Sequence, residues 1–482
     1  MSINNSKQVL PRYSINVPEL ITKKIKMQNC KAGRKIVISS NFLILFGFDK
    51  GMEIIEVSLG KNKGIKIVPA TPNDTKVKKV YSREYKNRRN NPLVTKQEVL
   101  MDIRGQKKIN DSFSSNCRAV RVIFRYNEIQ ILPLEDNTSN CVRNFVAKGA
   151  NFSAFIAMTS GIDGYCLKEE GFNIDTILEL RPREARDKTD FTETGALNCL
   201  ANLEVKHLIN EDILNLDIER IAELTKKSNS TVLHASIQCD EFSPLKNIND
   251  KQKDIQNNTS SIDMFLDVLE LAKQFDFPTI LIENVRGFSR EISGVMNSRL
   301  QRYGYRIHEE ILNARDFGGH TNRTRYYMFA TKLPAHFEMP KPQPRNTKAL
   351  WSEMVEPYIV SGEAREVTHS KSLQKGIEVG RASVFERDSS YFGTFTKSQA
   401  RCAKDSNFFK DEKRGGRLFF PSNDMIKRYM SIPSEIDFST CGKTIENEII
   451  GQSLEYGMHM KIIKEIKKHL ELSYMQLTGK LF

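Results

Sequence analysis

The sequence predicts an α/β protein, a doubly wound sheet preceded by a β-rich N-terminal domain, and three observations carry that reading. From about residue 145, apolar β-branched runs alternate with amphipathic helical stretches, the texture of parallel strands joined by crossovers. Two of those runs end in reactive side chains, Cys239 after T-V-L-H-A-S-I-Q and Glu283 in L-I-E-N-V. Open α/β sheets gather their ligands at the carboxyl ends of strands. Residues 33–69 instead alternate apolar and polar residues in short runs, broken by D-K-G and K-N-K-G turns.

A chain of 482 residues implies two or three domains. With 39% hydrophobic and 27% charged residues it reads as soluble and globular. The net charge of +14 favours a polyanionic partner, of which nucleic acid is the commonest. Eight scattered cysteines form no C-x-x-C pair and no ligand spacing with the histidines, so neither a metal site nor a disulfide framework is expected. The opening M-S-I-N-N-S-K-Q has no apolar signal core, and no run approaches the ~20 apolar residues of a membrane span. A reducing cytoplasm is the expected setting, with no membrane partner.

Residues 1–140 form the expected N-terminal domain, beginning with a polar arm of about 20 residues. Between 76 and 108 basic residues dominate: Lys76, Lys78, Lys79, Arg83, Lys86, Arg88, Arg89, Lys96, Arg104, Lys107 and Lys108, with Tyr81 and Tyr85 among them. Such a mixture suits phosphate neutralisation with occasional stacking, or equally a solvated linker face. A β-like run at 119–134 closes this part, and polar residues 135–140 read as the linker.

The α/β domain spans 145–334, with strands expected near 152–158, 176–180, 231–237, 279–285 and 325–331. A helix is expected at 257–274, capped by Ser260 or Ser261, with Met264, Phe265, Val268, Leu269 and Ala272 on one face. Four prolines (Pro334, Pro340, Pro342, Pro344) introduce some 70 residues without clear periodicity, which contain Trp351, the only tryptophan. Regularity returns at 416–482. That part ends in a helix at 458–472, whose Met460, Ile463, Ile466 and Leu470 form a core-facing stripe.

Taken alone, Cys239 reads most simply as an inert buried thiol. Its company changes that reading. Q-C-D-E-F-S at 238–243 is followed by E-N-V at 283–285, then by L-N-A-R-D-F-G at 312–318 and T-N-R-T-R at 321–325. In this order the segment from about 145 to the C-terminus resembles the cytosine-5 DNA methyltransferases, whose P-C-x-x-F-S loop holds the nucleophile, E-N-V the acid and Q-x-R-x-R two arginines. The resemblance implies a Rossmann-like methyltransferase sheet with a small target-recognition domain at 335–415. It also implies Cys239, Glu283, Arg323 and Arg325 as catalytic residues, S-adenosylmethionine as cofactor and double-stranded DNA as partner.

The cofactor half follows the same order. T-S-G-I-D-G at 159–164 supplies Gly161 and Gly164 for a turn that a nucleotide-like ligand approaches closely. Glu179 ends the next strand at the spacing of a carboxylate that accepts two ribose hydroxyls. Asp212 and Ile213 resemble the family pair at the adenine amino group and ring. I-I-G-Q-S at 449–453 resembles the family's I-G-N-A-V, giving Gln452 and Ser453. R-L-F-F-P at 417–421 resembles the block before it, with Arg417 ordering the recognition region.

These residue types suit the implied reaction. Carbon 5 of cytosine becomes nucleophilic only after a thiolate adds to carbon 6. Cys239 would be that thiolate, which requires its pKa to fall below the free value of about 8.5. Glu283 would hold N3, Arg325 would donate to O2, and Arg323 would support the site. The base must leave the duplex at a cost of a few kcal/mol.

Departures from the family pattern are Gln238 for proline, Asp240 for glutamine and Thr321 for glutamine. A carboxylate beside Cys239 would raise the thiol pKa and slow attack. The departures mark a divergent enzyme of a phage or mobile element, of restriction-modification type. Two alternatives stand beside this reading, an RNA cytosine-5 methyltransferase and a sequence-specific DNA-binding regulator on a decayed methyltransferase scaffold.

Overall fold

Residues Met1–Asn140 and Cys141–Phe482 form two compact units in the computed structural model of the chain. The structure describes residues 9–10, 13–14, 16–84, 97–134, 136–184, 187–243, 246, 248–257, 260–343, 350–404 and 406–480. Tyr85, Lys86, Arg88, Arg89, Lys96 and Pro344 lie outside the described residues, as do most of the expected polar arm and Glu135 of the expected linker.

The first unit contains a six-stranded antiparallel sheet in the order Ile21–Lys26, Ala119–Arg125, Glu128–Leu134, Ile65–Pro69, Glu53–Ser58, Lys78–Lys79. A four-stranded sheet joins Gln28–Cys30, Gly33–Ser39, Gln97–Ile103 and Tyr81–Glu84. Alternation sorts the sides: Val120, Val122, Phe124, Ile129 and Ile131 are buried in one core with Ile36, Ile38 and Phe48. Gly64 ends the K-N-K-G turn at φ +105°, and a Cβ there would meet the Ile131 carbonyl oxygen at 2.1 Å. One expectation fails inside this unit. Phe42–Leu45 is a helical turn, because five consecutive apolar residues (Phe42 to Phe46) offer no alternation for a strand to sort.

The expected linker also gives way to structure. Asn137–Lys148 is a helix that buries Cys141 and Phe145, four residues apart on one face.

The second unit is organised by seven strands, numbered here within that unit: β1 (Ser153–Ala157), β2 (Asn173–Leu178), β3 (Val205–Ile209), β4 (Val232–Ser236), β5 (Thr279–Asn284), β6 (Arg306–Asn313) and β7 (Thr324–Thr331). They lie in the order β3-β2-β1-β4-β5-β7-β6. The first five are parallel, and β7 runs antiparallel to both β5 and β6. The central strands are buried throughout, which is why they read as continuous apolar runs. β3 and β6 were not expected, for the converse reason: at the sheet edges V-K-H-L-I and R-I-H-E-E-I-L-N carry outward polar residues that dilute the apolar signal.

Helices cover both faces. Ile162–Glu169 (α1) packs Ile162, Cys166 and Leu167, and the closing helix Ile462, Ile463, Ile466 and Leu470, into one core. Met264–Phe275 (α2) packs Val268, Leu269 and Ala272 into the other. The expected helix therefore starts later than the sequence suggested, after Asp263 rather than Ser260 or Ser261, and a separate helix occupies Ile248–Gln256. Lys443–Gln452 (α3) and Tyr456–Thr478 (α4) complete the chain, α4 extending the expected stripe at both ends. The stretch without periodicity contributes three strands to a small four-stranded sheet, Arg365–Glu366, Arg417–Phe420, Asn407–Asp411 and Ser383–Phe385 in that order, the strand Arg417–Phe420 coming from the part that follows it. Its aromatic side chains, among them Trp351 stacked on Phe385, join the main core. Arg417 reaches Glu366 across this sheet at 3.3 Å. Among the described residues no helix is long and apolar enough to cross a membrane, and no group of His, Cys, Asp and Glu could hold a metal ion.

Candidate active site

The strand order reverses between β1 and β4, and the carboxyl ends of the strands on either side leave a crevice there. A cavity of about 500 Å³ fills it. Glu179, Asp212 and Ile213 line one part of its wall, and Cys239, Glu283 and Arg325 another. Gln452 and Ser453, at the end of α3, reach the same cavity. Eight of the eleven expected residues are thus brought together.

The other three are placed differently. Gly161 precedes α1 at φ +102° and Gly164 lies inside it; neither is on the wall, although Thr159, Ser160, Ile162 and Asp163 of the same turn are. A Cβ on Gly164 would meet Leu203 at 2.7 Å and Ile156 of β1 at 3.0 Å, so this glycine lets its helix pack closely on the sheet. Arg323 also stands off the wall, fully buried. Its guanidinium donates to the carbonyls of Phe395 (2.8 Å), Gly451 (3.1 Å) and Ser453. Its guanidinium is thus engaged away from the cavity wall.

Cys239 follows β4 by three residues and opens a short turn at Asp240–Phe242. Asn284, the middle residue of E-N-V, donates from its side chain to the Ile237 carbonyl (3.0 Å) and so ties the end of β5 to the loop. A Cβ on Gly287 would meet the Phe242 carbonyl oxygen at 2.0 Å, and Phe242 packs edge-on against Phe288. The loop is therefore held without the proline that Gln238 replaces.

Burial pushes the Cys239 thiol up from its ordinary value; Arg325 and Arg323 pull it down, while Asp240 and Glu283 add to the rise. The expectation of a lowered thiol pKa is not met. Burial likewise raises Glu283, against the pull of Arg325 and Arg323, and the Arg325 Nε stands 2.9 Å from its Oε1. A carboxyl so placed holds a proton more readily than a free one.

Sequence reasoning did not single out four residues at or behind the cavity wall. Asp163 lies in the quoted G-I-D-G turn; burial opposes its ionisation, yet hydrogen bonds with His234 and Thr159 hold its carboxyl below the ordinary value. Its position in the first turn of α1 was the available signal. Gly195 allows Glu179 its place, because a Cβ there would meet the Glu179 Oε1 at 2.2 Å. Burial pushes the Glu179 carboxyl well up, helped by Asp163 and opposed by the Thr159 backbone N–H. Lys397 arrives from the stretch without periodicity, and its ammonium pairs with Asp240 at 2.7 Å. His234, from the middle of β4, sits wholly buried with Nδ1 3.2 Å from Asp163.

The profile of the family described as C-5 cytosine-specific DNA methylase matches residues 196–468, more than half of the chain and including Cys239, Glu283, both arginines and Gln452. The chain belongs to that family. It is 24% identical over 269 residues to the type II methyltransferase M.MspI of Moraxella sp, covering 53% of this chain and 62% of that protein. To M.HhaI of Haemophilus parahaemolyticus it is 28% identical over 138 residues, 27% of this chain and 40% of the other. To M.Bsp6I of a Bacillus species it is 28% identical over 163 residues, 32% and 48% respectively. The chain thus spans about half the length of the curated relatives it matches. Among solved structures it is similar to the methyltransferase EhMeth of Entamoeba histolytica (17% identity, 65% of this chain and 98% of that one, TM-score 0.47). A DNMT2 mutant of Spodoptera frugiperda is similar too (18% identity, 66% and 99%, TM-score 0.47).

Proposed function

We propose that this chain is a DNA cytosine-5 methyltransferase that moves a methyl group from S-adenosylmethionine to carbon 5 of a cytosine flipped out of duplex DNA. The observation that carries this is the convergence of Cys239, Glu283 and Arg325 on a cavity that also holds Glu179. The cavity residues fit a nucleoside sulfonium: the buried Glu179 carboxylate can accept two ribose hydroxyls, and Asp212 and Ile213 offer a polar and an apolar contact for the adenine. Bound there, the cofactor supplies an electrophilic methyl group.

The chain's own residues do the rest. Cys239, as thiolate, forms a bond to carbon 6 of the cytosine, and the displaced electron pair makes carbon 5 the nucleophile. Glu283 holds a proton at N3 and offsets the negative charge developing on the ring; its raised pKa suits this task. Arg325, fixed against Glu283, donates to O2. After transfer the carbon 5 proton leaves and the sulfur–carbon bond breaks, returning the thiolate. Arg323 is a positioning residue. The region 335–415, with its small sheet, is the part we assign to reading the DNA sequence.

The test is base-resolution methylation mapping of a mixed-sequence duplex with S-adenosylmethionine, with transfer RNA as a second substrate. Methyl-cytosine confined to one duplex motif supports the proposal, and methylation of the RNA alone would replace it.

Variants at Gly195, Lys397 and Asp240 probe the surroundings of Glu179 and Cys239. Gly195→Ala should displace the Glu179 carboxylate and raise the KM for S-adenosylmethionine several-fold with little change in kcat. For Asp240, the ion pair with Lys397 offsets the charge that opposes the Cys239 thiolate. Lys397→Met should therefore shift the rise of the pH–rate profile to higher pH and slow turnover several-fold at neutral pH. Asp240→Asn should shift the profile to lower pH, and in the Lys397→Met background should restore most of the lost rate. Additive effects in this double-mutant cycle would show that the two side chains do not act on the thiol together.

A further inference from the structure

The net charge of the chain is not shared between its two units. Residues 1–140 carry 26 Lys and Arg against 12 Asp and Glu, a net +14, whereas residues 141–482 carry 47 of each and are neutral. On the proposed function, a unit with no net charge performs chemistry on a polyanion. Binding a duplex draws most of its sequence-independent affinity from lysines and arginines that displace phosphate counterions. The net surplus of such residues lies wholly in the first unit.

The sheet register shows where. In the six-stranded sheet the face opposite the core carries Lys24 and Lys26 on the edge strand and Arg121 and Arg125 on its neighbour. Lys66 follows two strands on, in register with Gln130. Both carboxylates of this face are already engaged: Glu128 lies 2.5 Å from Lys66 and 4.0 Å from Arg125, and Glu53 lies 3.3 Å from Lys79. Lys24, Lys26 and Arg121 have no ion pair among the described residues. Moreover, Arg121 stands directly opposite Lys24, an arrangement in which like charges repel across the ladder. A face serving solubility alone gains nothing from that repulsion, since a threonine or glutamate at either position removes it. A phosphate backbone lying across the face does make use of it, because the cations recur at ~7 Å along the strand and ~5 Å across it.

We propose that this face of the first unit grips the backbone of double-stranded DNA, independently of sequence. It adds a sequence-independent affinity for duplex to the contacts of the catalytic unit, which has no net positive charge. The proposal rests on the reading of the chain as a DNA methyltransferase and extends it to a second, separate contact surface.

The test uses the full chain and a short mixed-sequence duplex, with affinity followed by fluorescence anisotropy over a range of NaCl concentrations. The charge-reversal variant Lys24→Glu/Lys26→Glu/Arg121→Glu is compared with the milder Lys24→Gln/Lys26→Gln/Arg121→Gln, and thermal melting establishes that each is folded. For the glutamine variant the slope of log affinity against log salt should flatten by about 2.7, the release expected for three phosphates. Affinity at low salt should fall by at least ~10-fold, and more for the charge reversal, with the effect on methylation in KM for the duplex. An unchanged slope in both folded variants overturns the proposal, even if cytosine is methylated. A flattened slope in a protein that methylates no cytosine supports this surface and overturns the catalytic reading instead. Tighter binding to anionic vesicles than to duplex, lost in the same variants, would also overturn it in favour of a membrane surface.

Discussion

Cys239→Ser is expected to abolish methyl transfer, by more than about 10⁴-fold in kcat, while leaving the binding of S-adenosylmethionine and duplex intact. The substitution exchanges sulfur for oxygen on the wall of an existing cavity, so neither packing nor the loop that Asn284 holds should change. What changes is the nucleophile. Burial and two carboxylates already push the thiol up, and the same surroundings act on a hydroxyl whose ionisation starts far less favourable. Because the thiol is raised, the wild-type rate should climb with pH through the neutral range. It should fall again only where Glu283 gives up its proton, since the proposed chemistry needs a thiolate and a protonated carboxyl at once. A tritiated-methyl transfer assay across pH, alongside equilibrium binding of both ligands, measures all three quantities. Residual turnover in Cys239→Ser within about tenfold of wild type would exclude the covalent route.

The residues in this expectation were legible because they sit on the strands that are easiest to read. β4 and β5 are buried on both faces, so their apolar runs announce themselves, and the reactive residue closes each run. β3 and β6 are edge strands with polar faces, and nothing local distinguishes them from loops. The same limit hid Lys397. Its partner Asp240 is 157 residues away, in a stretch whose order comes from aromatic packing around Trp351, Phe385 and Tyr429 rather than from any period. Asp240 itself was legible as a defect, a carboxylate beside a nucleophile. Its compensation was not, because an ion pair between distant segments leaves no mark on either. The buried histidine of β4 illustrates a further limit. T-V-L-H-A-S reads as an apolar strand with one polar residue, and only the fold shows that residue facing Asp163.

Arg323 and Arg325 are placed differently by the fold, although one residue separates them. Two arginines spaced by one residue lie on the same side of an extended chain, and of the two only Arg325 was expected at the reacting base, with Arg323 supporting the site. Arg325 reaches the cavity; Arg323, just before β7 begins, is enclosed. Its guanidinium gathers carbonyls 72, 128 and 130 residues away, joining the start of β7 to the segment that carries Lys397 and to the end of α3 that carries Gln452 and Ser453. The junction is tight, since a Cβ on Gly451 would meet the Thr396 carbonyl oxygen at 2.3 Å.

Arg323→Met keeps most of the volume but leaves three buried carbonyls without their donor. It should cost about 3–4 kcal/mol of stability, read as a lowered denaturant midpoint at unchanged slope. Lysine, with one compact ammonium in place of a planar fork, should recover only part of this. Because Lys397 and Gln452 move with the junction, the same variant should raise the KM for S-adenosylmethionine as it loses stability. A group that touched the base would behave otherwise, losing kcat at full stability, and that outcome would return Arg323 to the catalytic set.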